Sequence, residues 1–558
     1  MQRLFTLLPI ISIILISQTF AQLMNRSASV RDPSQLERGF GGIVAGVDFD
    51  GDGLPEIYAC NTNMVDEPYE LVPRLYKFEW NPVTSVWDSV WGVTSDVPLQ
   101  NTWPALTWGD LDSDGKPELI WGPVNNLDAS LNPNPARVIV YEYPGDGSDN
   151  MGVDDGFGGF LPNAKTSIVQ DNMFNLRPIR FIVADIDNDG TQELIFADRA
   201  ASSGNYHVGV LSVDNIPDDG SGTETWTTEF SGVGDFVLAG TGNKWDLVVV
   251  PPYIGLFNAD GRTFLIKYDS GSNTYIVNNP QSGIAGDNSS FKGSVAIPWD
   301  NNTSTKIIVG SWFTSKVYYI KKDVNVDTLL SYEIADFSSF DQDSATPLRL
   351  NGAGFGDVDG DGNPDMFFGS RGGTSQPNAM IFRLEYVGGQ SGDWTLPQNY
   401  VASVVDSAIL SEGGDYDVIT VANVDGDPES EVLYTQGYSR ANPTDEPVPI
   451  VILDYQFTPV SVEKYTDLIP TNIYLEQNYP NPFNPSTTIK FGVTDATNVD
   501  LRVFDMLGRE VAVIVDNQFM EAGNYSAKFN GEGLASGVYM YQLKAGDFTV
   551  VKKMQLIK

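Results

Sequence analysis

Five short segments of the chain repeat nearly the same arrangement of carboxylates. Each has acidic residues, or one Asn, at positions 1, 3, 5 and 9, and four of the five have Gly at position 6. Oxygen donors at this spacing can surround one Ca²⁺ ion, which takes about 6 to 8 oxygen ligands, and position 7 can add its backbone carbonyl. We therefore predict four to five calcium sites. The candidate ligands are Asp48, Asp50, Asp52, Leu54 and Glu56 in loop 1; Asp110, Asp112, Asp114, Lys116 and Glu118 in loop 2; Asp185, Asp187, Asp189, Thr191 and Glu193 in loop 3; Asp357, Asp359, Asp361, Asn363 and Asp365 in loop 4; and Asn423, Asp425, Asp427 and Glu431 in loop 5.

An EF-hand begins with the same acidic pattern but closes with a bidentate Glu at position 12 between two helices. Here position 12 is Ala59, Trp121, Phe196 or Phe368 in the first four loops, and the flanking residues are rich in Ile, Tyr, Trp and Phe. Such runs are typical of β-strands. The loops therefore join strands. Loop 5 is weaker because Pro428 replaces the Gly and cannot adopt a positive φ, so metal binding there stays open.

The N-terminus indicates export. Residues 1–21 contain Arg3, an apolar run and a small-residue cleavage site ending at Ala21, as in a secretory signal peptide. No later segment reaches about 18 apolar residues, so we expect no transmembrane segment in the mature chain. The single Cys60 excludes an internal disulfide. Bound calcium could stabilise the exported fold instead.

The chain is strongly acidic, with 33 Lys and Arg against 73 Asp and Glu and a net charge of −40. The excess lies before residue 473, because residues 473–558 contain 8 basic and 9 acidic side chains. A nucleic-acid partner is excluded, since phosphate binding requires a basic surface.

Seven repeats can be counted. The ninth position of the loops falls at residues 56, 118, 193, 365 and 431, and two degenerate copies fill the gap at Asp246 and Lys306. Seven alternating strands follow them, starting near residues 74, 137, 207, 263, 316, 380 and 450. About 60 residues per repeat accommodates four strands, and four-stranded repeats around an axis form a β-propeller. We therefore predict an all-β chain whose residues 22–465 form a seven-bladed β-propeller.

These segments, with the phrases GFGGIVAGVDFDGDG and GAGFGDVDGDG, resemble the FG-GAP or VCBS-type repeats of integrin-α-like propellers. The resemblance covers residues 39–465 and implies Ca²⁺ in the hairpin between the first two strands of a blade. Repeats four and five depart from the pattern, with Trp245 and Lys306 near positions that should be acceptors. We expect those two blades to be metal-free.

The composition changes after a linker at residues 466–472. Short alternating strands over residues 473–558 predict a small immunoglobulin-like β-sandwich. The segments NYPNPFNPSTTI and GVYMYQLKAGDF also resemble the C-terminal sorting domain of type IX secretion substrates. That resemblance implies contact with the type IX machinery and a secreted or cell-surface location in a Gram-negative bacterium.

Catalysis is the less favoured hypothesis, because the chain has one His and one Cys. We expect a calcium-binding module for adhesion or binding of an extracellular glycan or protein; a polysaccharide-degrading enzyme and a structural component of an extracellular layer are the alternatives. A candidate ligand face opposite the calcium loops combines aromatic and Arg side chains. Its members are Tyr69, Trp103, Phe174, Arg177, Arg199, Arg371, Tyr438 and Arg440.

Overall fold

A computed structural model describes much of the chain between residues 24 and 557. The described residues are 24–30, 39–62, 72–81, 83–84, 86–95, 99, 103–124, 136–170, 174–175, 177–198, 208–231, 245–258, 263–278, 289–299, 304–311, 314–322, 329–340, 348–360, 362–371, 380–389, 392–407, 418–425, 429–435, 449–455, 462–466, 470–504, 510–531, 536–546 and 548–557. The predicted signal peptide, residues 1–21, lies outside them.

The described strands before residue 456 form seven four-stranded antiparallel sheets, numbered here in chain order. The N-terminal strand is β1 (Met24–Val30). Sheet 1 contains β2 (Phe40–Val47), β3 (Glu56–Asn61), β4 (Arg74–Asn81) and β5 (Val86–Thr94). Sheet 2 contains β6 (Ala105–Gly109), β7 (Glu118–Gly122), β8 (Val138–Glu142) and, after the small hairpin of β9 (Val153–Asp154) and β10 (Phe160–Leu161), β11 (Ala164–Thr166). A second small hairpin, β12 (Val169–Gln170) and β13 (Phe174–Asn175), precedes sheet 3.

Sheet 3 contains β14 (Pro178–Ala184), β15 (Glu193–Asp198), β16 (Val208–Asp214) and β17 (Thr225–Ser231). Sheet 4 contains β18 (Trp245–Val250), β19 (Tyr253–Asn258), β20 (Thr263–Asp269) and β21 (Thr274–Asn278). Sheet 5 contains β22 (Ser289–Trp299), β23 (Ser304–Ser311), β24 (Lys316–Lys322) and β25 (Leu329–Asp336), followed by a 3₁₀ turn at Ser338–Phe340. Sheet 6 contains β26 (Arg349–Gly356), β27 (Asp365–Arg371), β28 (Met380–Tyr386) and, after a 3₁₀ turn at Pro397–Asn399, β29 (Tyr400–Ser407). Sheet 7 contains β30 (Ile419–Ala422), β31 (Glu431–Thr435), β32 (Ile450–Tyr455) and β1.

The seven sheets form a ring. The first strand of each sheet contacts the first strand of the next, and β30 of sheet 7 contacts β2 of sheet 1. Small residues allow this close approach at the axis: a Cβ on Gly42 of β2 would lie 2.8 Å from Leu106 of β6, and one on Gly356 of β26 would lie 2.3 Å from Val421 of β30. The apolar cores lie between neighbouring sheets. The predicted all-β propeller architecture is thus confirmed.

The alternating strands are each the third strand of their sheet, from β4 to β32. The alignment of the fourth repeat, however, is wrong by one strand. Asp246 lies on β18, the first strand of sheet 4, and only Pro251 and Pro252 separate β18 from β19. The buried carboxylate of Asp246 accepts hydrogen bonds from the backbone N–H and the hydroxyl of Ser294 on β22, at 2.8 Å and 2.5 Å, and pairs with Arg180 on β14 at 3.2 Å.

The C-terminal region is a two-sheet sandwich, as predicted. One sheet contains β33 (Val462–Thr466), β34 (Tyr474–Leu475), β35 (Ser486–Val493) and β38 (Gly523–Asn530); the other contains β36 (Thr497–Phe504), β37 (Glu510–Met520), β39 (Gly537–Ala545) and β40 (Phe548–Leu556). Ile489, Leu501 and Tyr541 lie in the buried core between them. Strand β33 pairs with β38, so residues 462–465, assigned from sequence to the propeller, and residue 466, assigned to the linker, extend the tail sheet instead.

Strand β1 closes the ring. It pairs antiparallel with β32 and supplies the outer strand of sheet 7. Met24 and Val30 are buried at its two ends, and the Arg26 Nε lies 2.8 Å from the Asp406 carboxylate of sheet 6. The ring therefore depends on residues next to the predicted cleavage site.

We expect Met24→Ala to lower the free energy of unfolding by about 2–5 kcal/mol, because it removes a fully buried side chain from the cluster between sheets 6 and 7. The exposed Ser29→Ala on the same strand should change it by less than about 0.5 kcal/mol. Urea denaturation measures both. Equal values for the two variants would show that β1 does not contribute to closure.

Candidate metal centre

The five acidic loops occupy the same place in five sheets. Each connects the first strand to the second and ends at the first residue of the second strand, which is the ninth loop residue. In antiparallel sheets the connections between strands one and two, and between strands three and four, lie at the same end. All five loops therefore lie on one face of the propeller, here called the loop face.

The ninth carboxylate is buried in every loop. Its exposure is 1% or less, and one of its oxygens accepts a hydrogen bond from the backbone N–H of loop position 2. The five bonds run from Phe49 to Glu56 (3.1 Å), Leu111 to Glu118 (2.8 Å), Ile186 to Glu193 (2.9 Å), Val358 to Asp365 (3.2 Å) and Val424 to Glu431 (2.7 Å). Loop 5 shares this anchor with the four complete copies.

The first carboxylate fixes the turn. In loops 1 to 4 it accepts a hydrogen bond from the N–H of the Gly at position 6, at 2.9–3.2 Å. The φ angles of these glycines are +91°, +89°, +98° and +83°. Glycine is required at position 6 because side chains rarely tolerate such angles. In loop 5, Asp427 and Pro428 lie outside the described residues, as does Asp361 of loop 4.

Loop 2 is the most complete acidic cage. Asp110, Asp112, Asp114 and Glu118 each offer an oxygen, and these oxygens lie within 4.8 Å of one another. Oδ1 of Asp110 and Oε1 of Glu118 are buried, and within the described part of the chain they have no hydrogen-bond partner. Burial raises the pKa of Glu118 to about 9, and the nearby charges of Asp112 and Asp110 also raise it, against the Leu111 hydrogen bond. Buried oxygens facing one point fit a hard divalent cation such as Ca²⁺.

Loop 3 has similar chemistry. Asp185, Asp187 and Glu193 bring their oxygens within 4.8 Å of one another. Burial raises the pKa of Glu193 to about 8, and the charges of Glu229 and Asp187 add to the effect, against the Ile186 hydrogen bond. Among the described residues, no Lys or Arg pairs with Glu118 or Glu193. The two cages therefore lack an internal counterion at their buried carboxylate.

Loop 1 contains its own cation. Nζ of Lys77, 1% exposed on β4, lies 2.6 Å from Asp50, 2.8 Å from Glu56 and 2.9 Å from Asp149. Asp48, Asp50 and Glu56 still bring their oxygens within 4.8 Å of one another. The ammonium thus neutralises loop carboxylates at positions 3 and 9.

Loop 4 is neutralised in the same way by Arg383 on β28. Its Nε lies 2.7 Å from Asp365, and a terminal nitrogen lies 2.5 Å from Asp359. Burial raises the pKa of Asp365 to about 7, against the opposing charge and hydrogen bond of Arg383.

Lys77 and Arg383 occupy the same register position. Each lies opposite the residue two places after the ninth carboxylate, Tyr58 in sheet 1 and Phe367 in sheet 6. The corresponding residues of sheets 2, 3 and 7 are the buried Val140, Val210 and Ile452. Sequence analysis missed both cations; their signal was a basic residue within otherwise apolar third strands, RLYKFEW and MIFRLEY.

Neighbouring sheets extend the cages. Asp149 of sheet 2 joins Asp50 and Glu79 of sheet 1 in a second acidic cluster, and Asp218 of sheet 3 joins Asp114 and Glu142 of sheet 2. Both extra carboxylates come from the connection between the third and fourth strands of the next sheet.

Backbone and side chain link the same elements. The Ile216 N–H donates to Asp112 at 2.7 Å, and Lys116 Nζ pairs with Glu142 at 3.2 Å and with Asp218. The loops therefore form part of the contacts between neighbouring sheets.

The predicted ligand face is only partly described. The prediction that Trp103 lies on this surface is wrong, because its side chain is 3% exposed and packs in the core with Ile179 and Ile195. Arg177 is half-buried at the start of β14, and its backbone N–H donates to Asp198 at 2.7 Å. Phe174 and Arg371 lie on β13 and β27, but their side chains are outside the description, as are the residues Tyr69, Arg199, Tyr438 and Arg440.

Comparisons with solved structures give weak similarity. The structure of U3-55K aligns with a TM-score of 0.37 at 9% identity, covering 77% of this chain and 99% of that chain. Trypanosoma rangeli sialidase in complex with sialic acid aligns with a TM-score of 0.33 at 9% identity, covering 95% and 87%. No curated protein matches the chain. Among the described residues, no helix has the length and apolar character needed to cross a membrane.

Family models match two parts of the chain and confirm both resemblances. Residues 48–121 match an FG-GAP-like repeat, and residues 477–558 match a secretion system C-terminal sorting domain. The first match spans loops 1 and 2, and the second spans most of the C-terminal sandwich. The chain is thus an all-β protein with an FG-GAP-like repeat in its propeller and a C-terminal sorting domain of type IX secretion.

Proposed function

We propose that the protein is an extracellular, calcium-stabilised β-propeller that acts as a binding or adhesion module and is delivered by type IX secretion. The cage of loop 2, built around a buried Glu118, carries the calcium part of the proposal. Glu118 is fully buried, its Oε1 lacks a hydrogen bond within the described residues, and three more carboxylates face it. Burying an unpaired carboxylate is costly, so a divalent cation stabilises this arrangement.

The position of the cages supports a structural role for the metal. Loop 2 contacts residues 216 and 218 of sheet 3, and loop 1 contacts Asp149 of sheet 2. Within the described ranges the cages join β-strands, and no helix pair is found there that could open as in a sensor EF-hand. Calcium would therefore fix neighbouring sheets against one another.

The family match at the C-terminus supports the proposed export by type IX secretion. A sorting domain at residues 477–558 indicates export through the type IX machinery to the cell surface or beyond. Together with the predicted signal peptide at residues 1–21, this match supports the proposal of a Gram-negative host. Extracellular calcium-binding modules typically bind the ion with a Kd of about 10⁻⁴ to 10⁻³ M, and we expect a Kd in this range here.

We expect chelation by EDTA to lower the melting temperature of protein shown beforehand to contain calcium. Calcium at about 100 times its Kd should stabilise the fold by about 2.7 kcal/mol per site. Asp112→Asn should remove much of the contribution of one site, because Asp112 is a ligand candidate of loop 2. The exposed Asp214→Asn has the same charge change and should retain the full calcium response. Equal melting temperatures in calcium and EDTA would refute the stabilising role.

Lys77→Met and Arg383→Met should increase calcium dependence. Removing one partner of a buried ion pair costs about 3–5 kcal/mol, and in EDTA the remaining loop carboxylates are left without a counterion. Added calcium should restore part of the loss, so the difference in unfolding free energy between calcium and EDTA widens relative to wild type.

The control for these two substitutions is Lys316→Met, whose more exposed ammonium pairs with Glu333 at 2.8 Å. A surface pair of this kind contributes about 0–1 kcal/mol, and its loss should leave calcium dependence unchanged. If Lys77→Met behaves like this control, the internal cation does not substitute for metal in loop 1.

Deleting residues 477–558 should stop passage across the outer membrane of a type IX-secreting host, because the sorting domain is lost. Immunoblots of periplasmic, surface and medium fractions measure the change, with the full-length Asp214→Asn variant as an export-competent control. Truncated protein reaching the surface or medium at the wild-type level would contradict the route.

A further inference from the structure

A cavity of about 360 Å³ lies on the loop face where sheets 4, 5 and 6 meet. Its walls come from the turn after β18, the start of β23, the end of β24 and the connection between β28 and β29. Cavities of about 300–1,000 Å³ hold small ligands. This is the sector in which the acidic loops of repeats four and five are lost.

In sheet 5 the charge of the residue pair beside the loop is opposite to that in the sheets with acidic cages. Glu56 lies opposite Glu79 in sheet 1, and Glu118 opposite Glu142 in sheet 2. In sheet 5, Ile307 lies opposite Ile320, so the adjacent Lys306 comes opposite Lys321. Lys306 stands in the sequence where the other repeats have the ninth carboxylate. A pair of carboxylates that favours a cation is thus replaced by a pair of ammonium groups.

Further basic and aromatic groups surround this pair. Lys322 also lines the cavity, with its Nζ 5.0 Å from the ring centre of the half-buried Tyr253. Lys267 Nζ approaches the same ring at 5.8 Å, and Lys306 Nζ lies 5.8 Å from the ring centre of Trp394. The cavity lining thus combines three lysines with three aromatic rings: Lys306, Lys321, Lys322, Tyr253, Tyr319 and Trp394.

The local charge balance differs from that of the whole chain. Residues 245–336 contain seven Lys and Arg against nine Asp and Glu, whereas the whole chain has a net charge of −40. An anion approaching the loop face would be repelled by the acidic loops and repelled less by this segment, and within the cavity three lysines face a single carboxylate, Asp393. Charge complementarity therefore favours an anionic ligand.

The remaining polar groups point to a hydroxyl-bearing ligand. Thr305, Thr395 and the carboxylate of Asp393 also line the cavity. Asp393 accepts hydrogen bonds from the N–H and hydroxyl of Thr395, at 2.9 Å and 2.8 Å, and could accept a further one from a sugar hydroxyl. The same carboxylate would oppose the closely spaced charges of an acidic peptide.

We propose that this cavity binds an acidic saccharide, with Lys306, Lys321 and Lys322 pairing its carboxylate or sulfate group and Tyr253 packing against the sugar ring. The proposal rests on the binding role proposed above and names its ligand class. It also places ligand binding on the loop face, beside the calcium cages.

Calorimetric titration of the calcium-loaded full-length protein tests the site. The probes are an oligogalacturonate and a sulfated galactan oligosaccharide, each compared with the same chain after carboxyl reduction or desulfation. We expect the acidic forms to bind at least about tenfold more tightly than the neutral ones, since only the acidic forms can make charge-assisted contacts with the lysines. Equal binding of acidic and neutral chains, or no binding of either acidic probe, would overturn the proposal.

Variants separate this site from other surfaces. Lys306→Met with Lys321→Met should weaken acidic-saccharide binding about tenfold or more, whereas Lys316→Met, at the other end of β24, should not. Tyr253→Ala keeps the lysines and should weaken saccharide binding without creating affinity for oligoglutamate. Oligoglutamate binding as tightly as the saccharides would show a peptide site and overturn the proposal.

The melting response to EDTA distinguishes the two failures. A normal calcium response without saccharide binding would reject the ligand assignment alone. Saccharide binding without any calcium response would reject the stabilising role of calcium and leave the cavity assignment intact.

Discussion

A buried carboxylate at the start of a second strand is the constraint on which the loop face depends. In five sheets this group is 1% exposed or less and accepts a hydrogen bond from its own loop, so the strand and the loop form one unit. The hydrogen bond satisfies only one oxygen. The other oxygen needs a cation or a proton, because a lone charge is unstable away from water. Each of these five sheets must therefore satisfy this oxygen with a cation or keep the carboxyl group protonated.

The sheets meet this requirement in different ways. Sheets 1 and 6 place Lys77 and Arg383 on the third strand, within reach of the ninth carboxylate. Sheets 2 and 3 have Val140 and Val210 there, and the pKa values of Glu118 and Glu193 are raised to about 9 and 8. The cages thus form two classes: the ninth carboxylate pairs with a basic side chain of the third strand in sheets 1 and 6, whereas in sheets 2 and 3 it pairs with no Lys or Arg among the described residues, although Lys116 lies 3.3 Å from Asp114 of loop 2. A bound metal would stabilise the second class more.

The sequence predicted what depends on local pattern. The sequence identified the five acidic loops, the seven alternating third strands and the sorting domain, because each of them is a continuous segment. The all-β architecture followed from the repetition of the loops and strands. Partners across strands could not: the role of Lys77 requires the register that sets it opposite Tyr58, and Asp149 reaches loop 1 from another sheet. Sheet 4 was misaligned because its first hairpin closes at Pro251 and Pro252, without a nine-residue loop. Trp103 looked like a surface group because burial of a connection depends on tertiary packing.

The ninth residue of a repeat and the third-strand residue opposite it form a pair that links the two proposals. Through this pair, stabilisation by calcium and binding of a saccharide can share the loop face. The backbone pairing of the second and third strands holds these two residues opposite each other, whatever the charge of their side chains. In the function proposed here, carboxylates on both strands would attract a cation that joins neighbouring sheets, whereas Lys306 and Lys321 would attract the acidic group of a saccharide, and the adjacent cavity would give that group room. Because the acidic loops of the other sheets repel anions, they also restrict an acidic ligand to this sector. Saccharide binding there should weaken as salt increases, whereas calcium proposed to bind at the buried ninth carboxylates would be screened less.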